Sequence, residues 1–478
     1  MKSICSFFYI VLSLLCLSSI FSFAEVKSSV DISTLGEGLD KLSTNSVLPQ
    51  ELKLADAIER GIKLNPDLLQ QKINLRSSEL YYEDARDVMY SPSVSLGINS
   101  YYATKFGKVH GPKNYTPNEL NNYTEQSVQL SLGEYTIYNF GKDKLLYDQA
   151  KLDWTRAKDL FEESKRSVKF QIIIAFWTLK SAKDKLKSYE RSVNIAQSIL
   201  DLQKSRLPLG KTTEADISSS FVDLMNVKNL RDTAESSAIA ATLTLNVLLG
   251  DPSGTNYIIN EEISFLPIKV TEKILYETYL AQSPDIKNAR KDFIKAQMNL
   301  ELSEKNRLPL PAIKFNGINL SYTPNYYSSS ATLNPTGSNT NLNVSASIGF
   351  TLPLSGPGGL FGNRVIEGAE IQVSLANLAL TNTANRDLQT ILQTVRNIRQ
   401  FETTIDNNRQ LYSSSISVLE SVFKKFVTDK SVSRLEIRDA LAQARDSEIG
   451  LSEAILSHLT NKTQLASFIG VDYLPRVE

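Results

Sequence analysis

The sequence predicts a mainly α fold with a small β part, in which tandem-duplicated long helical hairpins carry short strands at one end. Three observations predict it: an internal repeat, two very long stretches free of glycine and proline, and short segments of strict two-residue alternation. The repeat is read directly. Asn65-Pro66-Asp67-Leu68 returns as Ser283-Pro284-Asp285-Ile286, and Gly97-Ile98-Asn99 as Gly317-Ile318-Asn319. Phe140-Gly141-Lys142 returns as Phe361-Gly362-Asn363, and Leu249-Gly250 as Ile469-Gly470. The order is kept and the spacing hardly varies, which marks a duplication of about 220 residues.

The N-terminus sets the compartment. Lys2 precedes the apolar run from Ile4 to Ile20, and Ser22-Phe23-Ala24 offers small residues where a signal peptidase cuts. Residues 1–24 are therefore expected to be a signal peptide, followed by a polar lead-in over 25–50. Cys5 and Cys16 are the only cysteines and both lie in the signal, so the mature chain has no disulfide or thiolate chemistry. Charge is balanced, with 52 basic and 52 acidic residues, which leaves nucleic-acid binding without electrostatic support. After the signal no apolar run reaches helical transmembrane length, so any membrane crossing must be a closed β-barrel.

The first repeat is expected over 51–252. Leu54, Ala57, Ile58 and Ile62 keep helical spacing, within a helical stretch from Leu52 to Tyr90 that breaks near Asn65-Pro66. Strands are expected at about 93–103 and 126–138, around a polar loop. A long hairpin then occupies 142–249. Its first arm, Lys142 to Arg206, has no glycine or proline in 65 residues, a length of roughly 100 Å as helix. Leu207-Pro208-Leu209-Gly210 stops it, and a second arm runs from about Thr213 to Leu249. A linker over 253–270 leads to the second repeat, 271–473. That repeat should place strands at about 312–322 and 342–354 and a hairpin over 363–469, turning near Thr428 to Ser431. Helices of this length need other long helices to cover their apolar stripes.

The strands read as barrel staves. Leu342, Val344, Ala346, Ile348, Phe350, Leu352 and Leu354 alternate with small or polar neighbours, which puts one whole face in an apolar medium. Val94, Leu96, Ile98 and Val128, Leu130, Leu132 alternate likewise. Ile313 and Phe315 change phase to Ile318 and Leu320 across Asn316-Gly317, which predicts a bulge. Four strands do not close a barrel around water. Three copies supply twelve, so the pattern predicts a homotrimer. The segments 104–125 and 323–341, rich in Asn, Ser, Thr and Tyr, read as surface loops on the outer side.

In this order and duplicated, the Asn65-Pro66-Asp67-Leu68 turn, the Tyr138-Asn139-Phe140-Gly141-Lys142 junction and the tip Arg206-Leu207-Pro208-Leu209-Gly210, with Thr212, Thr213 and Asp216 beyond, resemble the TolC-like outer membrane efflux protein family. The resemblance covers about Leu52 to Tyr473. It implies a trimer with a twelve-stranded barrel in outer-membrane lipid and a helical tunnel, an α-barrel, in the periplasm. It also implies a periplasmic membrane-fusion adaptor and an inner-membrane transporter of RND, MFS or ABC type as partners, in efflux or type I secretion. By the same resemblance Arg206, Leu207 and Gly210 contact the adaptor. Acidic residues Glu436 and Asp439 ring the periplasmic entrance, with Asp216 as the repeat partner of Glu436. The second tip, Phe426-Val427-Thr428-Asp429-Lys430, departs from the pattern in lacking a glycine.

No catalytic constellation, metal pair or phosphate-binding loop is present, so neither an enzyme nor a cofactor is expected. His110 and His458 read as surface residues, and Trp154 and Trp177 as packing residues. The competing reading is a secreted or periplasmic helical-hairpin structural or interaction protein without channel activity. The apolar strand faces discriminate, because a rod needs no apolar face turned away from its own body.

Overall fold

The computed structural model describes residues 50–105, 121–133, 135–209, 212–263, 265–308, 310–329, 332–349, 354, 363–428 and 433–474. The signal segment, His110, Gly210 and the second tip turn at 429–432 lie outside them. The chain runs β1 (Gln50–Glu51), α1 (Leu54–Leu64), α2 (Pro66–Tyr90), β2 (Val94–Lys105), β3 (Asn121–Leu132), β4 (Tyr135–Tyr138), α3 (Lys142–Arg206) and α4 (Glu214–Leu249). It continues with β5 (Tyr257–Ile258), α5 (Glu272–Gln282), α6 (Pro284–Arg307), β6 (Ala312–Ser329), β7 (Thr332–Gly349), α7 (Arg364–Thr428) and α8 (Arg434–Ile469). The duplication is visible in the lengths: α1 and α5 have 11 residues, α3 and α7 have 65, and α4 and α8 have 36.

No single helix of a repeat is long enough to cover α3, so two cover it in tandem. Its N-terminal half packs on α2, where Tyr82 stacks on Trp154 at 5.1 Å between centroids and shares a 3.0 Å hydroxyl hydrogen bond with Tyr147. Its C-terminal half packs on α4, through Leu200 with Leu224 and Tyr189 with Ala234. The two covering helices meet at Asn65. Its side-chain oxygen accepts from the N–H groups of Asp67 and Leu68, capping α2, while its amide donates to the carbonyl of Leu248 at 3.1 Å in the last turn of α4. One side chain thus satisfies orphan groups of two abutting helix ends. α4 and α8 end in left-handed glycines, Gly250 (φ 71°) and Gly470 (φ 83°), where the chain turns against the start of the neighbouring helix. A Cβ on Gly470 would lie 2.7 Å from the carbonyl oxygen of Gln282, so no other residue fits there.

The core collects at these splices. One cluster joins Leu52, Leu68, Ile172, Phe176, Leu179, Leu245, Leu249 and Tyr257. Its repeat joins Leu275, Tyr279, Ile286, Ile391, Val395, Leu465 and Ile469. Trp177 packs within the first, edge-on to Phe176. His458 corrects the surface assignment: it is only 3% exposed. The linker between repeats covers it, with Phe265 edge-on at 5.1 Å, the Ile268 N–H donating to Glu402 at 2.7 Å, and Lys462 donating to the Leu266 carbonyl at 3.2 Å. The signal that sequence reading lacked was this strap, which has no helical periodicity of its own.

The strands form one antiparallel sheet with β2 and β7 at its edges and β3 and β6 between them, β4 continuing β3 along β6. Register lines up Val94, Leu132, Ile318 and Val344 in one row and Leu96, Leu130, Leu320 and Leu342 in the next. The intervening row is Ser95, Ser131, Asn319 and Asn343. The expected bulge is present between Phe315 and Gly317. The extra residue, Asn316, keeps Ile313 and Phe315 on the same face as Ile318 and Leu320. The strands run further than their alternation suggests. β6 and β7 pair from Ala312↔Gly349 out to Ser329↔Thr332, so most of 323–341 is hairpin instead of loop. Beyond the apolar rows both faces are polar, and the two-residue signal disappears although the strand does not.

Two consequences are measurable. Asn65→Ala removes a cap and the bond across the splice, and should lower stability by about 1–2 kcal/mol in urea unfolding followed by circular dichroism. Burial pushes the His458 imidazole below its ordinary range, against the opposing pull of Glu402. A group depressed in the fold takes up protons first when unfolded, so its contribution is complete above the ordinary histidine range and is lost as pH falls through it. Melting temperature should therefore drop on acidification through pH ~6.5, and His458→Gln should flatten that part of the profile.

Candidate functional site

The end of the helical hairpins remote from the sheet gathers the described candidates Arg206, Leu207, Asp216, Glu436 and Asp439; Gly210 lies outside the described residues. α3 finishes in a single 3-10 turn, Leu207–Leu209, because Pro208 cannot continue the helix. Arg206 does not point to solvent. Its Nη2 donates to the Phe426 carbonyl at 2.7 Å and its guanidinium lies 5.0 Å from the Phe426 ring centroid. Phe426 is 1% exposed and packs with Ile199 and Ile437. Arg206 therefore braces the first tip against the last turn of α7. Leu207 is exposed.

Asp216 is the third helical residue of α4 and closes a capping box. Its Oδ2 accepts from the Thr213 hydroxyl at 2.7 Å and the Thr213 N–H at 3.1 Å, while the Asp216 N–H returns a bond to that hydroxyl. Thr212 ties the same turn to the buried Gln203 at 2.7 Å. The Thr213 bonds hold the Asp216 carboxyl below the usual carboxylate range, helped by the charge of Arg434.

Glu436 and Asp439 are both exposed on the first two turns of α8. Ser433 caps that helix, accepting from the Glu436 N–H at 3.2 Å, which leaves the Glu436 carboxylate outward. Asp439 accepts two bonds from Arg438, at 2.8 and 3.0 Å. At 100° per residue the mean direction of Arg434, Arg438 and Arg445 is roughly 150° from that of Glu436 and Asp439. The buried stripe of Ile437, Ala440 and Ala444 lies between them. α8 is thus one stave in a wall of helices, with arginines on one side and carboxylates on the other. On the arginine side a groove of about 230 Å³ is lined by Ala196, Val227, Leu230, Arg434, Arg438 and Leu441. Asp223 bridges it, ion-paired to Arg434 and 4.0 Å from Arg438.

Glu436 and Asp439 thus share an exposed face of α8, while Asp216 is committed to the Thr213 turn of α4 and feels the charge of Arg434. Asp223 and Phe426 are site residues that the sequence does not single out. Asp223 and Arg434 are 211 residues apart, and no local pattern announces such a pair. Among the described residues no group of three or more His, Cys, Asp or Glu side chains is arranged to hold a metal, and no helix is long and apolar enough to cross a membrane.

The Asp223–Arg434 pair is the strongest charged link between α4 and α8, with side chains 22% and 17% exposed. Asp223→Asn should cost about 1–2 kcal/mol, between the values for exposed and buried pairs. Hydrogen exchange at the starts of α4 and α8 should accelerate roughly tenfold; unchanged protection there would mean that the pair does not hold the hairpins together.

Residues 57–251 match the sequence model of the outer membrane efflux protein family. No curated protein matches the chain by sequence. Among solved structures, the chain is similar to the outer membrane protein VceC of Vibrio cholerae at 16% identity, covering 87% of this chain and 96% of that one with a TM-score of 0.65. It is similar to the CmeC outer membrane channel of Campylobacter jejuni at 15% identity, 91% and 92% coverage and a TM-score of 0.69. The open MtrE outer membrane channel of Neisseria gonorrhoeae gives 14% identity, 89% and 90% coverage and a TM-score of 0.66. At these identities the likeness is one of fold, and it extends over both repeats.

Proposed function

We infer that this chain, whose first repeat carries the sequence pattern of outer membrane efflux proteins, is the protomer of an outer-membrane efflux channel. The observation that carries the reading is the apolar face of the sheet. Val94 and Ile98 on β2 and Leu342 and Ile348 on β7 are 66%, 73%, 66% and 75% exposed, on the face that the register carries across β3 and β6, with no described residue of the chain packed over them. In water such a face is a liability; in lipid it is the outer wall of a barrel. The helical-rod alternative offers no reason for it.

The edges β2 and β7 run in opposite directions, so β7 of one copy extends the antiparallel alternation when it meets β2 of the next. Three copies give twelve strands around a lumen lined by Ser95, Ser131 and Asn343, and the hairpins below continue as a tunnel into the periplasm. The channel is a passive conduit, served by a membrane-fusion adaptor and an inner-membrane transporter. Leu207 and Gly210 are the surface offered to the adaptor, with Arg206 as the brace behind them. Glu436 and Asp439 face the passage, where three copies would set six carboxylates around a constriction and favour cations. Asp216 holds the turn instead of lining the passage.

Purified trimer in planar bilayers should give discrete conductance steps with cation preference. Glu436→Gln with Asp439→Asn should reduce that preference at least severalfold while leaving assembly intact. Absence of any conductance from a detergent-stable oligomer would sink the channel; unchanged selectivity in the double variant would remove only the acidic entrance.

A further inference from the structure

The seam between the two repeats is polar nearer the sheet and mixed toward the tips, where Tyr189 meets Ile449 and Ile199 meets Ile437. In the half nearer the sheet, α3 meets α6 through Gln149 with Asn299 at 2.8 Å, Asp153 with Lys295 at 2.8 Å, Asp159 with Lys291 at 2.6 Å, and the Arg156–Asp292 ion pair. Toward the tips α3 meets α8 through Lys185 with Glu453 at 2.8 Å, Ser188 with Glu448 at 2.7 Å, and the Arg191–Glu448 pair. Contacts within a repeat carry the larger apolar clusters. α3 is flanked on both sides, by α2 and α4 on one and by α6 and α8 on the other. α7, its counterpart, packs on helices of its own repeat, except at the tip, where Phe426 meets Ile199 and Arg206. Its other flank is open along the half nearer the sheet.

The duplication says what should lie there. α3 and α7 are both 65 residues long and begin at Lys142 and Arg364, so Gln149, Asp153 and Arg156 have Ile371, Leu375 and Leu378 as counterparts. α6 and α2 begin at Pro284 and Pro66, so Asn299, Lys295 and Asp292 have Tyr81, Ser77 and Asn74. Both sets are found on open surface. Ile371, Leu375 and Leu378 are 51%, 51% and 56% exposed, Tyr81 is 71% exposed, and Asn74, Ser77 and Tyr81 line a groove of about 470 Å³ along α2.

We propose that the α7 ridge Ile371, Leu375 and Leu378 docks on Asn74, Ser77 and Tyr81 in α2 of a second copy, in the register that α3 and α6 keep within one chain. This rests on the trimeric reading and adds its residues and their chemistry. Where the internal seam nearer the sheet is an ionic ladder, the seam between copies sets an apolar ridge against neutral partners. A ring of three copies then alternates six seams, three held there by ion pairs and three by the ridge. Leaving an apolar ridge in water is unfavourable, which drives closure of the ring, whereas the ionic seams within each chain gain little but fix register.

The test is disulfide trapping, made clean because the only natural cysteines, Cys5 and Cys16, fall in the expected signal segment. Ser77→Cys with Leu375→Cys should give dimer and trimer bands on oxidation, ending at trimer. Asp153→Cys with Lys295→Cys should close within one chain and add no mass. Light scattering on the same samples separates two failures. A trimer that forms no intermolecular bond at 77 and 375 overturns the seam and leaves the trimer standing; a monomer overturns both. Leu375→Asp with Leu378→Asp should lower the trimer fraction at least tenfold with helical content unchanged, and a trimer undisturbed by both charges would equally refute the ridge.

Discussion

A helix of 65 residues exposes about 100 Å of apolar stripe, and the coverage of that stripe is the constraint from which the rest of this molecule follows. No return helix of 36 residues spans it. The chain solves the mismatch by ending one covering helix against the start of another and letting Asn65 serve both ends. The same solution in the second repeat uses Ser283, whose side chain makes no capping hydrogen bond, and relies more on the close approach of Gly470 to Gln282. The repeats share an architecture, then, while differing in how firmly their splices are bonded.

Much of this is legible in the sequence, for a physical reason. α3 runs from Lys142 to Arg206, the bounds that the absence of glycine and proline marks, because in a long helix only breakers decide the ends. The bulge at Asn316 is legible because one inserted residue is what shifts the phase of an alternating strand while keeping its apolar side chains on one face. The features that are not legible have no local periodicity. His458 is buried by a linker without regular structure, and the outer strands lose their alternation once both faces are polar. Within the chain Arg206 finds its partners, the Phe426 ring and carbonyl, 220 residues away. The sequence names the chemical type of such a residue but not the side of the wall on which it works.

Glu436 and Asp439 share a face, as their spacing requires. Asp216 stands at the same place in the repeat as Glu436, yet it is committed to Thr213 and sits beside Arg434. Equivalent positions in a duplicated chain are not equivalent environments, because α4 lies at the edge of the protomer and α8 lies inside it, between α3 and α7. The same asymmetry explains why one flank of α3 is ionic and the matching flank of α7 is apolar. A seam made within one chain is formed at folding and tolerates polar partners, since tethering supplies the proximity. A seam between chains must overcome the entropy of association, and buried apolar area is the means available.

Charge is segregated across α8, and its arginines set how its carboxylates are compensated. Arginines on one side of the wall are neutralised by Asp223 and by their own neighbours Asp439 and Asp446, which bends those carboxylates toward the arginine flank and leaves Glu436 as the carboxylate without a charged partner among the described residues on that face. Of the acidic pair, Glu436 is therefore the less compensated charge, while Asp439 is partly screened by Arg438 at 2.8 Å. Any motion that pulls α8 away from α4 strains the Asp223 link to Arg434 and Arg438 together. Freeing Arg438 from Asp223 would strengthen its hold on Asp439.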